Sequence, residues 1–305
     1  MNATGFDALR NRILELAAER SGGALGPEAI SLALIAYDRP LRGRIADAPV
    51  PAGRFGYRDD IPVYPASIVK LFCLYAFAAF EAIERFRPDE EDRRAARAMI
   101  ELSSNEATAY LMGRLTGAFD GACLDEADLV DWLRDRHAVQ DWLSSLGITD
   151  FHDINVLHAT YEDSPYGRAY QARARSQANR LTARACAALM RDIVHGTVPS
   201  SGWMMELMDR TAQRRALADT GHPVEGDQVL GFLGEAMPAS TRLWSKAGHT
   251  SWTRHDLVYA ETACDRSFIA CVMTDSRWSA ADTTFFPQVG RLIHEALGEG
   301  GNRPT

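Results

Sequence analysis

Of the 33 basic residues in this 305-residue chain, two are lysines, Lys70 and Lys246, and the rest are arginines. A lysine amine can surrender its proton when its surroundings disfavour charge, whereas a guanidinium cannot. Lys70 lies three residues after Ser67 in the run Tyr-Pro-Ala-Ser-Ile-Val-Lys-Leu-Phe, which leaves Pro65 and enters an apolar stretch containing Leu71, Phe72, Leu74 and Phe77. Residues three apart share a helix face, so the Ser67 hydroxyl and the Lys70 amine fall within reach of each other at a helix start. A serine hydroxyl becomes a useful nucleophile once a neighbouring base takes its proton. The helix N-terminus also supplies backbone N–H groups for a developing oxyanion. The plain alternative, an N-cap serine followed by a surface lysine, fits poorly with so apolar a neighbourhood.

Two more constellations point the same way. Ser103-Ser104-Asn105 follows Ser67 by 36 residues and offers a hydroxyl and an amide in a turn between helical stretches. Lys246-Ala247-Gly248 closes an extended run, where Gly248 would let a substrate backbone approach the strand edge. A metal centre built from His152, Asp153 and His158 matches no common zinc spacing.

In this order and at these separations, S-x-x-K, S-x-N and K-x-G resemble the class A β-lactamases and penicillin-binding proteins over roughly residues 24–298. The resemblance implies an acyl-enzyme on Ser67, with Lys70 as, or sharing the role of, acylation base. It implies that Ser103 relays a proton to the leaving group, that Asn105 holds a substrate amide, and that Lys246 attracts a substrate carboxylate and tunes Ser103. The backbone N–H groups of Ser67 and His249 would form the oxyanion hole.

The chain departs from that pattern in two places. Ala247 stands where the family has threonine or serine, so His249, Thr250, Ser251, Arg254 and His255 become the compensating substrate contacts. Counting back from Asn179-Arg180-Leu181-Thr182 to the family's deacylating glutamate reaches Tyr166, which leaves Glu162 and Asp163 as the nearest carboxylates; Glu162 is the candidate.

The elements that must position these groups read as follows. Ile30 to Tyr37 and Arg54 to Tyr57 suit strands, and so do Arg242 to Lys246, Leu257 to Glu261 and Phe268 to Thr274. Helical patterns cover Met1 to Arg20, Ser67 to Glu84, Glu90 to Leu102, Glu106 to Leu115, Asp128 to Leu143, Thr182 to His195 and Thr283 to Leu297, with a polar loop from Leu146 to Arg180. The expected fold is α+β, an α/β/α sandwich: a five-stranded antiparallel sheet from both chain ends, flanked by the terminal helices, with an all-helical region inserted. Residues 1–62 and 200–305 would form the sheet region and 63–199 the helical region of one unit.

A net charge of −8 without basic–aromatic clusters excludes a nucleic-acid track. The longest apolar stretch is too short to span a bilayer, and the N-terminus lacks a secretory pattern, so a cytoplasmic protein is expected, or a periplasmic one if a leader has been trimmed. The five cysteines (Cys73, Cys123, Cys186, Cys264, Cys271) read as buried free thiols. The chemistry calls for a small-molecule substrate (a β-lactam, amide or ester) and for no cofactor or metal. The expected activity is hydrolysis of a β-lactam or related cyclic amide. A D,D-peptidase- or esterase-like acyl transferase, or a binding protein keeping the fold, is the alternative.

Overall fold

A computed structural model of the chain describes residues 1–42, 50–159, 167–175 and 178–298. Five antiparallel strands, β1 (Ile30–Tyr37), β2 (Gly53–Tyr57), β3 (Arg242–His249), β4 (Thr253–Glu261) and β5 (Ser267–Asp275), form one sheet in the order β2-β1-β5-β4-β3. β1 is buried at every position because it lies between β2 and β5 and is covered on both faces.

Helix α1 (Ala3–Ser21), started by the Asn2 side chain accepting the Gly5 N–H, opens the chain. The insert between β2 and β3 holds α2 (Val69–Ala82), α3 (Glu90–Glu101), α4 (Asn105–Thr116), α5 (Glu126–Arg136), α6 (Ala138–Ser145), α7 (Gly167–Arg175), α8 (Ala183–His195), α9 (Ser201–Met208) and α10 (Thr211–Thr220). The short α11 (Arg277–Ala281) and α12 (Phe285–Gly298) complete the chain. One apolar core joins Trp244, Leu257, Tyr259 and Ile269 to α2 and α8; the other joins Leu243, Val258, Ala260 and Phe268 to α1 and α12. The sheet therefore has a face toward the inserted helices and a far face toward the terminal ones, which is the α+β sandwich that the sequence predicts.

Several boundaries differ from expectation. Ser67 lies in a 3-10 turn (Ala66–Ile68) just ahead of α2. The helix expected over Asp128 to Leu143 is two, broken at His137, whose ring Nδ1 sits 2.6 Å from the Leu133 carbonyl. The polar stretch before Arg180 contains α7. Both α9 and α10 went unforeseen; α10 buries no residue at all and so carries little amphipathic signal. β4 begins at Thr253, four residues ahead of the expected Leu257. Cys73, Cys186 and Cys271 are buried free thiols, but Cys123 and Cys264 are exposed because they lie in connecting segments. Among the described residues no helix is long and apolar enough to cross a membrane.

Candidate active site

Ser67 is held by a strained turn. Ala66, buried with φ at 46°, takes a left-handed conformation that costs a non-glycine residue about 1 kcal/mol or more. This bend lets the Pro65 carbonyl accept the Ile68 N–H at 3.1 Å and leaves Ser67 half-buried at the head of α2. The turn rests on β3 at Gly248. A Cβ there would meet the Pro65 carbonyl oxygen at 2.9 Å and the Ser67 nitrogen at 3.2 Å, so only glycine allows the two backbones to approach. Gly248 thus makes room for the serine turn.

His255 fixes the same segment from β4. Its Nδ1 accepts the Thr274 N–H at 3.1 Å, which leaves the proton on Nε2, 2.7 Å from the Tyr64 carbonyl oxygen. Burial pushes this imidazole down to about 4, so the ring is neutral near pH 7.

Both lysines are fully buried, and both reach one hydroxyl. Lys70 Nζ donates to the Ser103 carbonyl at 2.5 Å and to Asn105 Oδ1 at 2.6 Å, and lies 3.3 Å from Ser103 Oγ. Lys246 Nζ donates to Gln228 Oε1 at 2.6 Å and to the Ala247 carbonyl at 2.9 Å, and lies 2.9 Å from Ser103 Oγ. Ser103 can do this because it too is left-handed, with φ at 57°, between the end of α3 and the Ser104 cap of α4. Among the described contacts, each amine meets two acceptor-only partners and the shared Ser103 hydroxyl. A neutral amine keeps two N–H bonds for the acceptors and turns its lone pair to the hydroxyl, while an ammonium donates to all three. Burial, then the charges of Lys70 and Arg210, push Lys246 well below the usual lysine range.

Register decides which neighbours share this cleft. Cross-strand partners lie on one face, so Lys246 with Leu257 and Gly248 with His255 face the inserted helices, whereas Ala247 with Asp256 and His249 with Arg254 face away. Arg254 accordingly donates to the carbonyls of Gly231, Ser279 and Ala280, and the His249 ring bonds the Ala280 carbonyl at 2.9 Å. Neither side chain points toward the cleft as expected from sequence. Thr250 shapes the β3–β4 turn, its hydroxyl accepting the Trp252 N–H at 3.3 Å. Glu162, with Asp163, lies outside the described residues.

Two site groups carry no signature in the sequence. Gln228, buried in the segment after α10, accepts from Lys246 Nζ and from the Ala247 N–H at 3.1 Å, and donates through Nε2 to the Ile100 and Glu101 carbonyls at 2.8 and 3.1 Å. Arg210 donates to the Ser245 carbonyl at 2.7 Å on the outer edge of β3, and burial lowers its guanidinium to about 10. On the far face Asp256 accepts the Leu233 N–H at 3.0 Å; burial pushes its carboxyl up to about 7. Among the described residues no three His, Cys, Asp or Glu side chains gather as a metal site; His152 is exposed and paired with Asp153, and His158 is buried.

The assembled site holds a hydroxyl at a helix head, two buried amines joined by a second hydroxyl, and an edge strand beside them. The whole fold is similar to solved structures at low identity. A beta-lactamase from Sphaerobacter thermophilus DSM 20745 matches with a TM-score of 0.61 at 16% identity, over 96% of this chain and 98% of that one. An ancestral (GNCA) class A beta-lactamase matches with a TM-score of 0.58 at 18% identity, over 93% and 99%. The protein PBP-A matches with a TM-score of 0.59 at 15% identity, over 96% of both chains. No curated protein matches the chain. A family model described as the beta-lactamase enzyme family matches residues 91–297, a span that takes in Ser103, Asn105 and Lys246; hydrogen bonds join Lys70 to the first two, and the Ser67 turn lies against Gly248. That match covers more than half of the 305 residues, and the chain belongs to the beta-lactamase enzyme family.

Proposed function

We propose that the protein is a serine hydrolase of the β-lactamase type that forms an acyl-enzyme on Ser67 and hydrolyses a β-lactam or a related cyclic amide or ester. The observation that carries this reading is the placing of the chain's two lysines, both fully buried, on the single hydroxyl of Ser103 beside the Ser67 turn.

Ser67 Oγ attacks the substrate carbonyl while its proton passes to Lys70, which keeps its two N–H bonds to the Ser103 carbonyl and Asn105 as it exchanges that proton. The Ser103 hydroxyl hands a proton to the departing nitrogen or oxygen and is resupplied from an amine on either side. Lys246 holds that hydroxyl in place. The N–H groups of Ser67 and His249 stabilise the oxyanion: odd-numbered residues of β3 direct their amides to the outer edge, as Ala247 does toward Gln228, and Gly248 sets that edge against Ser67. Water then cleaves the ester, with Glu162 as the proposed base for that step. The substrate reaches the site as a soluble small molecule in the cytoplasm, or in the periplasm if the chain is exported.

Intact-mass analysis after incubation with an alkyl fluorophosphonate tests this. One adduct per chain is expected, mapping to the peptide that contains Ser67 and absent in Ser67→Ala. A wild-type protein that stays unlabelled would leave a binding protein that has kept the fold.

A further inference from the structure

The end of β3 and its surroundings hold basic and N–H groups in number, yet those of Lys246 and Ala247 are already engaged. Lys246 has at most three N–H donors, and its partners are Gln228 Oε1, the Ala247 carbonyl and Ser103 Oγ, so in either protonation state none is left over. The Ala247 N–H is taken by the same Gln228 oxygen, and Ala247 itself has no hydroxyl. Arg254 spends its guanidinium on three carbonyls of the far face, and Arg210 bonds the Ser245 and Ile100 carbonyls. The Gln228 amide cannot turn round, because its nitrogen is held by the Ile100 and Glu101 carbonyls at the end of α3. Its oxygen therefore sits on Lys246 and the Ala247 N–H as one oxygen of a bound carboxylate would.

Resting on the function proposed above, we infer that Gln228 is a specificity-determining residue: it is a built-in substitute for a substrate anion, and the site takes acyl donors that are uncharged where the group leaving Ser67 faces β3. A carboxylate arriving there would have to displace a buried, doubly anchored amide and would find neither Lys246 nor the Ala247 N–H with a donor to spare.

The experiment compares benzylpenicillin with its methyl ester, which differ at the carboxyl group alone. Each competes with fluorophosphonate for Ser67, and the adducts are followed by intact mass. The ester is expected to acylate or protect Ser67 at least tenfold faster than the acid. In Gln228→Ala, which frees an N–H on both Lys246 and the strand, the ratio should fall toward one; Gln228→Glu, which keeps the shape and adds a negative charge, should widen it. Fluorophosphonate labelling of each variant shows that the site has folded. The inference is overturned if the acid reacts as fast as the ester, if neither protects a Ser67 that fluorophosphonate labels, or if the ratio is the same in all three proteins. A Ser67 that fluorophosphonate never labels would instead remove the hydrolase reading beneath it.

Discussion

The two faces of the β3–β4 ribbon are built from similar residue types and put them to different use. Toward the inserted helices stand Lys246 and His255, and toward the terminal helices stand Arg254 and Asp256, all of them buried. On the first face a buried amine meets a hydroxyl 2.9 Å away. On the second, a guanidinium that never loses its proton is tied to backbone carbonyls, and the carboxylate beside it accepts one backbone N–H. Buried charge is thus no marker of chemistry by itself; the partner atoms decide. In the proposed mechanism a lysine among exchangeable partners transfers protons, whereas an arginine among carbonyls is a brace.

Removing the shared hydroxyl should sharpen this contrast most. Ser103→Ala is expected to slow Ser67 labelling by roughly 100-fold or more, the range of a lost general acid–base group, with little change in melting temperature. Stopped-flow or timed-quench labelling reads the rate; a rate within threefold of wild type would mean that the hydroxyl is only a spacer. Arg254→Met should do the reverse. Three carbonyls lose their donor, so stability is expected to drop by about 3 kcal/mol in urea denaturation, while the folded fraction still labels at Ser67. Loss of labelling in chains that remain folded would place Arg254 back in the site.

The division between the faces was half legible in the sequence. Ser67, Lys70, Ser103, Asn105 and Lys246 could be found because a hydroxyl and an amine at helical spacing, and two lysines in an arginine-rich chain, are local facts. The antiparallel sheet from both chain ends followed more from the resemblance that the three motifs carry than from periodicity, although β1 and β5 each hold a long apolar run. Arg254 was misplaced because β4 starts with Thr-Arg-His-Asp, a polar run that reads as a turn. Extended back to Thr253, the alternation of a strand already sends Arg254 and His255 to opposite faces. Gln228 could not be found at all. Its role depends on reaching both the end of α3 and the edge of β3, two elements separated by more than a hundred residues, and no spacing rule encodes that.

The smallest expected effect lies in the pH dependence of stability. Asp256 is raised from 3.8 to about 7, so its contribution is present at low pH and is lost as pH rises through that window. His255 is lowered from 6.5 to about 4, so its contribution is present above 6.5 and is lost as pH falls. The two neighbours oppose each other over nearly the same range, by about 4 kcal/mol for Asp256 and about 3 kcal/mol for His255, and the wild-type profile between pH 4 and 7 should be close to flat. Single replacements unmask the slopes: His255→Gln should gain stability as pH falls from 7 to 4, and Asp256→Asn should lose it. Urea midpoints across that range check both directions, and parallel profiles for the two variants would contradict the assignment.

The most direct measurement is the rate of fluorophosphonate labelling at Ser67 in Lys70→Arg. Arginine keeps the positive charge and the length but holds its proton, so labelling should fall by about a thousandfold while the protein stays folded. A rate equal to that of wild type would show that Lys70 supplies charge alone and that no proton passes between Ser67 and the buried amines.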